Sequence, residues 1–208
     1  MNGEDALALA DWRRRVAAIY QVARDEALHD PEAACVEWRR ARDQLFAAHP
    51  QSPVPLVNRL AFAGLTYFPY DPAARVTAEL RPADAEHITL EVSTGEPVGF
   101  SRVGVCAFEL DGGERTLDLY WLTGYAGGLF LPFRDATSGG ETYGAGRYLV
   151  DSAKGADLGT DEAGRLVLDF NFAYNPSCAY DPIWSCPLAP PGNRLDAAVR
   201  AGERTPSL

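Results

Sequence analysis

The sequence predicts a mainly β protein of the α+β class, in which two N-terminal helices precede an antiparallel β-barrel or sandwich. Apolar residues recur with helical spacing in the first 50 residues, whereas short apolar runs separated by turn residues fill most of the remainder. Nineteen glycines and fifteen prolines among 208 residues interrupt the chain too often for a helical bundle. We therefore expect a helical appendage, residues 1–50, to pack on an antiparallel β domain, residues 51–208, within one folding unit.

Two amphipathic helices are predicted at the start of the chain. In the first, from about Glu4 to Leu28, apolar side chains recur at the spacing of one buried stripe. The second begins where Asp30 can cap the helix and Pro31 can occupy its first turn, and it stops before Pro50. Its arginines are interleaved with acidic residues, which predicts a solvated face: Arg39, Arg40 and Arg42.

At least six short segments after the linker HPQSPVP have the length and composition of β-strands. They are ITLEVS, VGVCAFEL, LDLYWL, GLFLPF, TYGAGRYLV and RLVLDFNFAY. The turn residues Asp111-Gly112-Gly113 predict that VGVCAFEL and ERTLDLYWL form an antiparallel hairpin. The proline-rich tail that follows the last strand is expected to cover the end of the sheet as a packed lid.

Charge and hydropathy exclude several classes of partner. A net charge of −10 argues against nucleic acid or an anionic membrane as the main partner. No window reaches the roughly 18 apolar residues of a membrane-spanning helix, and no basic segment followed by an apolar stretch opens the chain. We therefore expect a cytoplasmic protein without nucleic-acid or membrane partners.

The four cysteines predict buried, reduced thiols. Cys35, Cys106, Cys178 and Cys186 are too few to form a disulfide scaffold in a chain of this length, and free cysteines are commonly buried. For Cys178 and Cys186, eight residues apart, the alternative interpretation is a facing pair of oxidisable thiols. No two further ligands lie near this pair in the sequence, which argues against zinc.

Familiar catalytic and cofactor motifs are missing from the sequence. There is no G-x-S-x-G segment and no G-x-x-x-x-G-K-[ST] segment, and Leu149 stands where a dinucleotide-binding loop would have its third glycine. The histidines His29, His49 and His87 have no metal-ligand spacing and no nucleophile nearby. We therefore expect neither a metal nor a cofactor.

The strongest candidate site is a polar face on a predicted hairpin. If Thr142–Asp151 and Arg165–Ala173 pair around a turn near Leu158, Arg147 lies opposite Asp169, and Asp151 lies opposite Arg165. The period-two alternation of strand side chains then places one polar set on a single face: Glu141, Tyr143, Arg147, Asp169 and Asn171. Glycines around this set leave room for a ligand, or for strand bends.

Inside a barrel or cleft, this polar face would bind an anionic or polar small molecule. Arg147 would anchor a carboxylate or phosphate, and Tyr143, Asn171 and Asn175 would bind the ligand around it. Facing water instead, the same residues would form ordinary surface ion pairs.

Two alternative functions remain open at the level of sequence. In a hydrolase or lyase without a metal, Glu141 and Asp169 would divide the acid and base roles. In an interaction protein or homodimer, Tyr174, Tyr180 and Trp184 would form the contact surface.

Five segments between residues 60 and 204 carry long and specific motifs. They are LAFAGLTYFPYDPAARV, LPFRDATSGGETYGAGRYL, DFNFAYNPSCAY, CPLAPPGNRL and AGER. In order and spacing they resemble the bacterial and archaeal family known as domain of unknown function 1684. The resemblance implies no activity, substrate or cofactor. It implies that one group of residues belongs together: Glu141, Tyr143, Arg147, Asp169, Asn171, Asn175 and Cys178.

Overall fold

The structure, a computed structural model, describes residues 2–207 and places helices before strands. The helices are α1 (Gly3–Glu26), α2 (Pro31–Ala48) and the short α3 (Leu56–Arg59). The strands are β1 (Arg75–Arg81), β2 (Glu86–Leu90), β3 (Val98–Leu110), β4 (Gly113–Leu122), β5 (Leu129–Phe133), β6 (Arg147–Asp151) and β7 (Leu166–Asp169). Within this part of the chain, no helix combines the length and the apolar character that crossing a membrane requires.

The seven strands form one antiparallel sheet that curls into a half-barrel. Its strand order is β6-β5-β4-β3-β1-β7, and β2 pairs with β3 beside β1. The 13-residue β3 pairs with β2 through its first half and with β1 through its second half. The predicted class, mainly β with two N-terminal helices before an antiparallel sheet, is confirmed.

The predicted β3–β4 hairpin is confirmed in detail. Leu110 pairs with Gly113, so Asp111 and Gly112 form a two-residue turn. Both turn residues have positive φ angles, 53° and 72°. This is the backbone of the type I′ turn, whose twist matches that of the flanking strands and which favours Asp-Gly.

The predicted hairpin between Thr142–Asp151 and Arg165–Ala173 is wrong. In the structure β6 pairs with β5, so Arg147 lies opposite Phe133. Strand β7 pairs with β1, so Asp169 lies opposite Arg75. The two strands therefore lie at opposite ends of the sheet path.

The same correction applies to the second predicted ion pair of that hairpin. The Asp151 carboxylate pairs with Lys154 at 2.7 Å, and Arg165 pairs with Asp161 at 2.8 Å. Asp151 and Asp161 each pair with a cation three or four residues along the chain, because the loop between the two predicted strands folds on itself in short local turns. A cross-strand partner was not needed to satisfy either charge.

Aromatic side chains join the helices to the sheet. The Trp38 ring of α2 lies 4.9 Å from Phe172, just beyond β7, and 5.9 Å from Tyr20 of α1, measured between ring centroids. Such pairs contribute about 0.5–1.5 kcal/mol each beyond their buried area. The helices therefore share a core with residues of the β domain.

Helix α2 begins at a side-chain cap that a substitution can test. The Asp30 carboxylate accepts a hydrogen bond from the Ala33 amide at 3.0 Å, and Pro31 occupies the first turn. Asp30→Ala should lower the free energy of unfolding by about 1 kcal/mol. Urea denaturation followed by circular dichroism measures this, with Asp84→Ala at an exposed loop position as the control. Equal midpoints for the two variants would show that the cap contributes nothing.

Candidate functional site

A cavity of about 60 Å³ lies between the N-terminal helices and the half-barrel, and we call it the seam cavity. Helices α1 and α2 form one wall, and the end of β6 with the segment that follows β7 forms the other. Its lining residues are Trp12, Val16, Ile19, Tyr20, Arg42, Leu45, Phe46, Tyr148, Lys154, Ala156, Tyr174, Asn175, Pro176 and Ser177. Most of the wall is apolar, and its polar side chains carry two cations, three phenols, an indole N–H, a side-chain amide and a hydroxyl.

Arg42 places a buried cation in this wall. Its guanidinium carbon lies 4.7 Å from the ring centroid of Trp38, 5.0 Å from that of Phe46 and 5.1 Å from that of Tyr174. Aromatic faces attract a cation at such distances, the more so when water is excluded. Three rings therefore fix the position of the Arg42 side chain, which is only 7% exposed.

The hydrogen bonds of Arg42 leave part of the guanidinium free. Nη2 donates to Oε2 of Glu203 at 2.9 Å, and Nε donates to the Tyr67 hydroxyl at 3.2 Å. Nη1 makes no hydrogen bond to any residue between 2 and 207. Arg42 thus keeps donor capacity for a further partner at the cavity.

Three buried oxygen atoms of the cavity residues also have no hydrogen-bond partner in the described chain. They are the hydroxyls of Tyr20 and Tyr174 and Oδ1 of Asn175. The other buried side-chain atoms without a partner are nitrogens of Trp38 and of five arginines, none of which lines the cavity. A buried polar group left without a partner costs about 1–3 kcal/mol, and native proteins keep few of them. Three oxygens on residues of one cavity thus have hydrogen-bonding capacity that the protein does not use.

The two phenols are hydrogen-bond donors throughout the physiological pH range. Burial raises the pKa of Tyr20 and of Tyr174 well above the ordinary value of a phenol. Both groups therefore keep their protons and can donate to an oxyanion.

Lys154 supplies a second cation at the rim of the cavity. Its Nζ lies 2.7 Å from Oδ2 of Asp151, and its side chain is 45% exposed. Burial would lower the pKa of this ammonium, but the Asp151 carboxylate outweighs that effect, so the pKa is raised. The next residue, Gly155, has a φ of 79°, and a Cβ there would lie 2.9 Å from Cβ of Ala17. Glycine thus lets helix α1 pack closely against the loop that carries Lys154.

Glu203 lies behind Arg42 and is fully buried. Its Oε2 accepts hydrogen bonds from Arg42 and, at 3.0 Å, from the Asn175 amide, while its Oε1 accepts from the Tyr180 hydroxyl. Burial raises the pKa of Glu203 to about 7 in spite of the Arg42 cation. Near neutral pH the carboxyl is therefore only partly ionised, and Arg42 is only partly neutralised.

The predicted anion anchor, Arg147, does not line the seam cavity. It is 1% exposed, and its Nη2 donates to Oδ2 of Asp135 at 2.9 Å and to the Val199 carbonyl at 3.0 Å. Its Nη1 donates to the carbonyls of Ala201 and Glu203. Acceptors of the protein itself thus bind both terminal nitrogens of Arg147. Through these bonds Arg147 holds the C-terminal segment against β6.

The two predicted acid and base residues have separate surroundings. Glu141 lies on a surface loop, where it pairs with Arg200 at 2.9 Å. Asp169 is buried at the end of β7 and pairs with Arg75 at 3.0 Å. Burial raises the pKa of Asp169, although Asn171 and Arg75 oppose this effect. No contact joins Glu141 to Asp169 within residues 2–207, so a shared acid–base role has no geometric support there.

The remaining predicted ligand-binding residues are divided among three places. Asn171 bridges the turn after β7 to Asp71, donating to its carbonyl at 2.7 Å and accepting from its amide at 2.9 Å. The Tyr143 hydroxyl contacts the Cys178 sulfur at 3.7 Å. Asn175 alone among the predicted site residues lines the seam cavity.

Comparison with known proteins assigns the chain to a family whose function is unknown. The family model described as "Protein of unknown function (DUF1684)" matches residues 60–204. The chain belongs to the DUF1684 family. No curated protein matches this DUF1684 protein significantly.

A solved structure resembles this DUF1684 protein over most of its length. It is the solution NMR structure of the uncharacterized protein from gene locus rrnAC0354 of Haloarcula marismortui, which is 39% identical in sequence. The match covers 87% of the present chain and 97% of that chain, with a TM-score of 0.61. The shared fold therefore extends beyond the residues that the family model matches.

Sequence reasoning missed the cation of the seam cavity in this DUF1684 protein. Arg42 was expected on a solvated face, and the structure shows it buried, whereas Arg40 is exposed as expected. A signal was present, because Arg42 lies four residues after Trp38 and three before Leu45 and so falls on the apolar stripe of α2. A cation on such a stripe predicts a buried partner.

Proposed function

We propose that this protein binds a small organic anion in the seam cavity. The observation that carries this proposal is the set of three buried oxygens without a partner, all on residues that line the same cavity as the Arg42 cation. Water alone could satisfy the oxygens; an anion is favoured because the carboxyl that pairs with Arg42, Glu203, is only partly ionised near neutral pH and so balances the buried cation incompletely.

The lining suggests which chemical groups the ligand carries. Arg42 and Lys154 suit a carboxylate, and the Tyr20 and Tyr174 hydroxyls can donate to its oxygens. Oδ1 of Asn175 is an acceptor and suits a hydroxyl or amino group next to the carboxylate. A short hydroxy or amino acid anion combines these features.

The size of the cavity limits the enclosed part of the ligand. Its volume of about 60 Å³ is under half of the roughly 150 Å³ that encloses benzene in an engineered cavity. A carboxylate and its first one or two carbons fit such a space. A longer ligand would extend past Lys154, whose half-exposed side chain lies at the rim.

Lactate and its neutral amide, lactamide, test the proposal as probes of matched shape. Lactate should raise the Tm of the protein in a saturable manner, whereas lactamide should not. At ten times its Kd a ligand stabilises the fold by about 1.4 kcal/mol. Replacing both cavity phenols, in Tyr20→Phe/Tyr174→Phe, should weaken lactate binding by about tenfold or more, because hydrogen bonds to a charged group are worth about 1.5–3 kcal/mol each.

The same double variant separates binding from folding. Each substitution removes a hydroxyl that has no protein partner, so without ligand the variant should be as stable as the wild type or more stable. Tyr125→Phe is the matched control, because Tyr125 is fully exposed and should leave both stability and lactate binding unchanged. Equal responses to lactate and lactamide, or unaltered binding by the double variant, would rule out the anion site.

A further inference from the structure

A pair of cysteines lies beside the segment that lines the seam cavity. Cys178 belongs to the 3₁₀ turn Ser177–Ala179, and Cys186 is held by Ser93, whose amide donates to the Cys186 carbonyl at 2.9 Å. The Ser93 hydroxyl in turn accepts a hydrogen bond from the Cys186 amide at 3.1 Å. Both thiols are therefore attached to well-anchored backbone.

The two cysteines are close enough to form a disulfide. The amide nitrogen of Cys178 donates to the Cys186 sulfur at 3.3 Å. Because N and Cα of one residue are about 1.5 Å apart, this sulfur lies within about 5 Å of Cα of Cys178. A sulfur this close to the Cys178 backbone is within reach of the Cys178 side chain, which is the proximity that a disulfide requires. Both cysteines are free thiols in the structure.

The surroundings of the pair make its two sulfurs unequal. The Cys178 sulfur accepts a hydrogen bond from the Tyr143 hydroxyl at 3.7 Å. Hydrogen bonds, first from the Cys186 thiol and then from Ser93 and Tyr143, lower the pKa of Cys178 to about 6. The same interaction with Cys178, together with burial, raises the pKa of Cys186. The pair thus shares one proton unequally, with Cys178 as the more acidic of the two thiols.

The other two cysteines lack these features. Cys35 and Cys106 are fully buried, and burial raises the pKa of each to about 12. The Cys35 thiol donates to the Asn171 carbonyl at 3.6 Å, and Cys106 lies in the apolar interior of the sheet. Cys178 and Cys186 are also largely buried, but they keep 8% and 5% of their surface exposed, whereas thiols with no exposed surface are inert and serve as internal controls.

We infer that Cys178 and Cys186 form a reversible disulfide by exchange with a low-molecular-weight disulfide. The Cys178 thiolate attacks one sulfur of the small disulfide, which forms a mixed disulfide and releases one small thiolate. Cys186 then loses its proton to solvent and attacks the Cys178 sulfur, which releases the second small thiolate and closes the protein disulfide. The two cysteines are oxidised and the small disulfide is reduced to two thiolates.

This inference does not depend on the ligand of the seam cavity. A disulfide would nevertheless affect the cavity wall, because Pro176 and Ser177, which line the cavity, directly precede Cys178 in the chain. On the other side, the Tyr148 hydroxyl, also from the lining, donates to the carbonyl of Pro187, directly after Cys186. A disulfide would therefore tie together the two segments that flank the wall.

Oxidised glutathione, with mass spectrometry of the folded protein, tests the pair. The wild type should lose two free thiols, and peptide mapping should join Cys178 to Cys186 while Cys35 and Cys106 remain free. In Cys186→Ala the resolving thiol is missing, so glutathione should stay attached to Cys178. In Cys178→Ala neither a mixed nor an internal disulfide should form. Four free thiols in the wild type after prolonged incubation, or oxidation that begins at Cys35 or Cys106, would overturn the inference.

The pH dependence of alkylation distinguishes a reactive pair from two merely neighbouring cysteines. Iodoacetamide should modify Cys178 with a half-maximal rate near pH 6, the pKa of its thiol. Tyr143→Phe deletes only a hydroxyl and should move this midpoint upward without unfolding the protein. A midpoint near the ordinary thiol value of about 8.5 in the wild type would contradict the proposed role of Cys178.

Discussion

Arg147→Met is expected to lower the free energy of unfolding by about 3–5 kcal/mol, because it leaves a buried carboxylate without its cation. Asp135 is almost fully buried, and Arg147 is the cation that pairs with it, at 2.9 Å. The substitution also removes the donors that serve the carbonyls of Val199, Ala201 and Glu203. Urea denaturation followed by tryptophan fluorescence measures the loss.

Two further variants define the cause of this loss. The double variant Arg147→Met/Asp135→Asn also removes the buried carboxylate that has lost its cation, so a substantial part of the stability should return. Arg165→Met breaks an exposed ion pair with Asp161 and should change the free energy of unfolding by less than about 1 kcal/mol. If Arg147→Met unfolded at the same urea concentration as Arg165→Met, the buried pair would have no structural importance.

The stability of the protein is expected to fall between pH 5 and pH 8 because of Glu203. The glutamate ionises near pH 4.5 in the unfolded chain, whereas its pKa in the folded protein is about 7. Between these values the folded state holds a proton that the unfolded chain has released, so rising pH favours unfolding. The stabilisation that protonated Glu203 provides is complete below pH 4.5 and is lost as the pH rises past 7. The difference between the two pKa values corresponds to about 3 kcal/mol.

Glu203→Gln isolates this contribution from those of other groups. Glutamine resembles the protonated carboxyl and does not titrate, so the variant should have nearly wild-type stability at pH 5. At pH 8 its free energy of unfolding should exceed that of the wild type by about 3 kcal/mol. Glu141→Gln retains Glu203 and should keep the pH dependence of the wild type. A constant difference between Glu203→Gln and the wild type at both pH values would contradict the proposed titration.

Local signals in the sequence predicted the local parts of the fold. The cap at Asp30 and the turn at Asp111-Gly112 act over two or three residues, and both occur where they were expected. Strand pairing is not local. The charge pattern around Arg147 and Asp169 was compatible with a hairpin between them, but Asp135 and Arg75 satisfy the same charges from other elements. Charge complementarity therefore could not select one pairing among several.

The candidate site was harder to predict than the fold because its walls come from distant parts of the chain. Tyr20, Arg42 and Asn175 meet only after the two helices have packed on the half-barrel. No motif of consecutive residues marks such a place. The sequence-based prediction of an anion-binding arginine named Arg147, which the protein uses to hold its own C-terminal segment, whereas the arginine at the seam cavity is Arg42.

The ion pair between Arg42 and Glu203 bears on how the protein is made. The two residues are 161 positions apart, and ribosomes add about 5–20 residues per second. About 8–30 s therefore pass between the synthesis of the cation and that of its carboxylate. During that interval α2 cannot bury Arg42 beside its acid, and the apolar faces of both helices remain available to chaperones. Complete docking of the helices therefore has to wait until Glu203 has been synthesised.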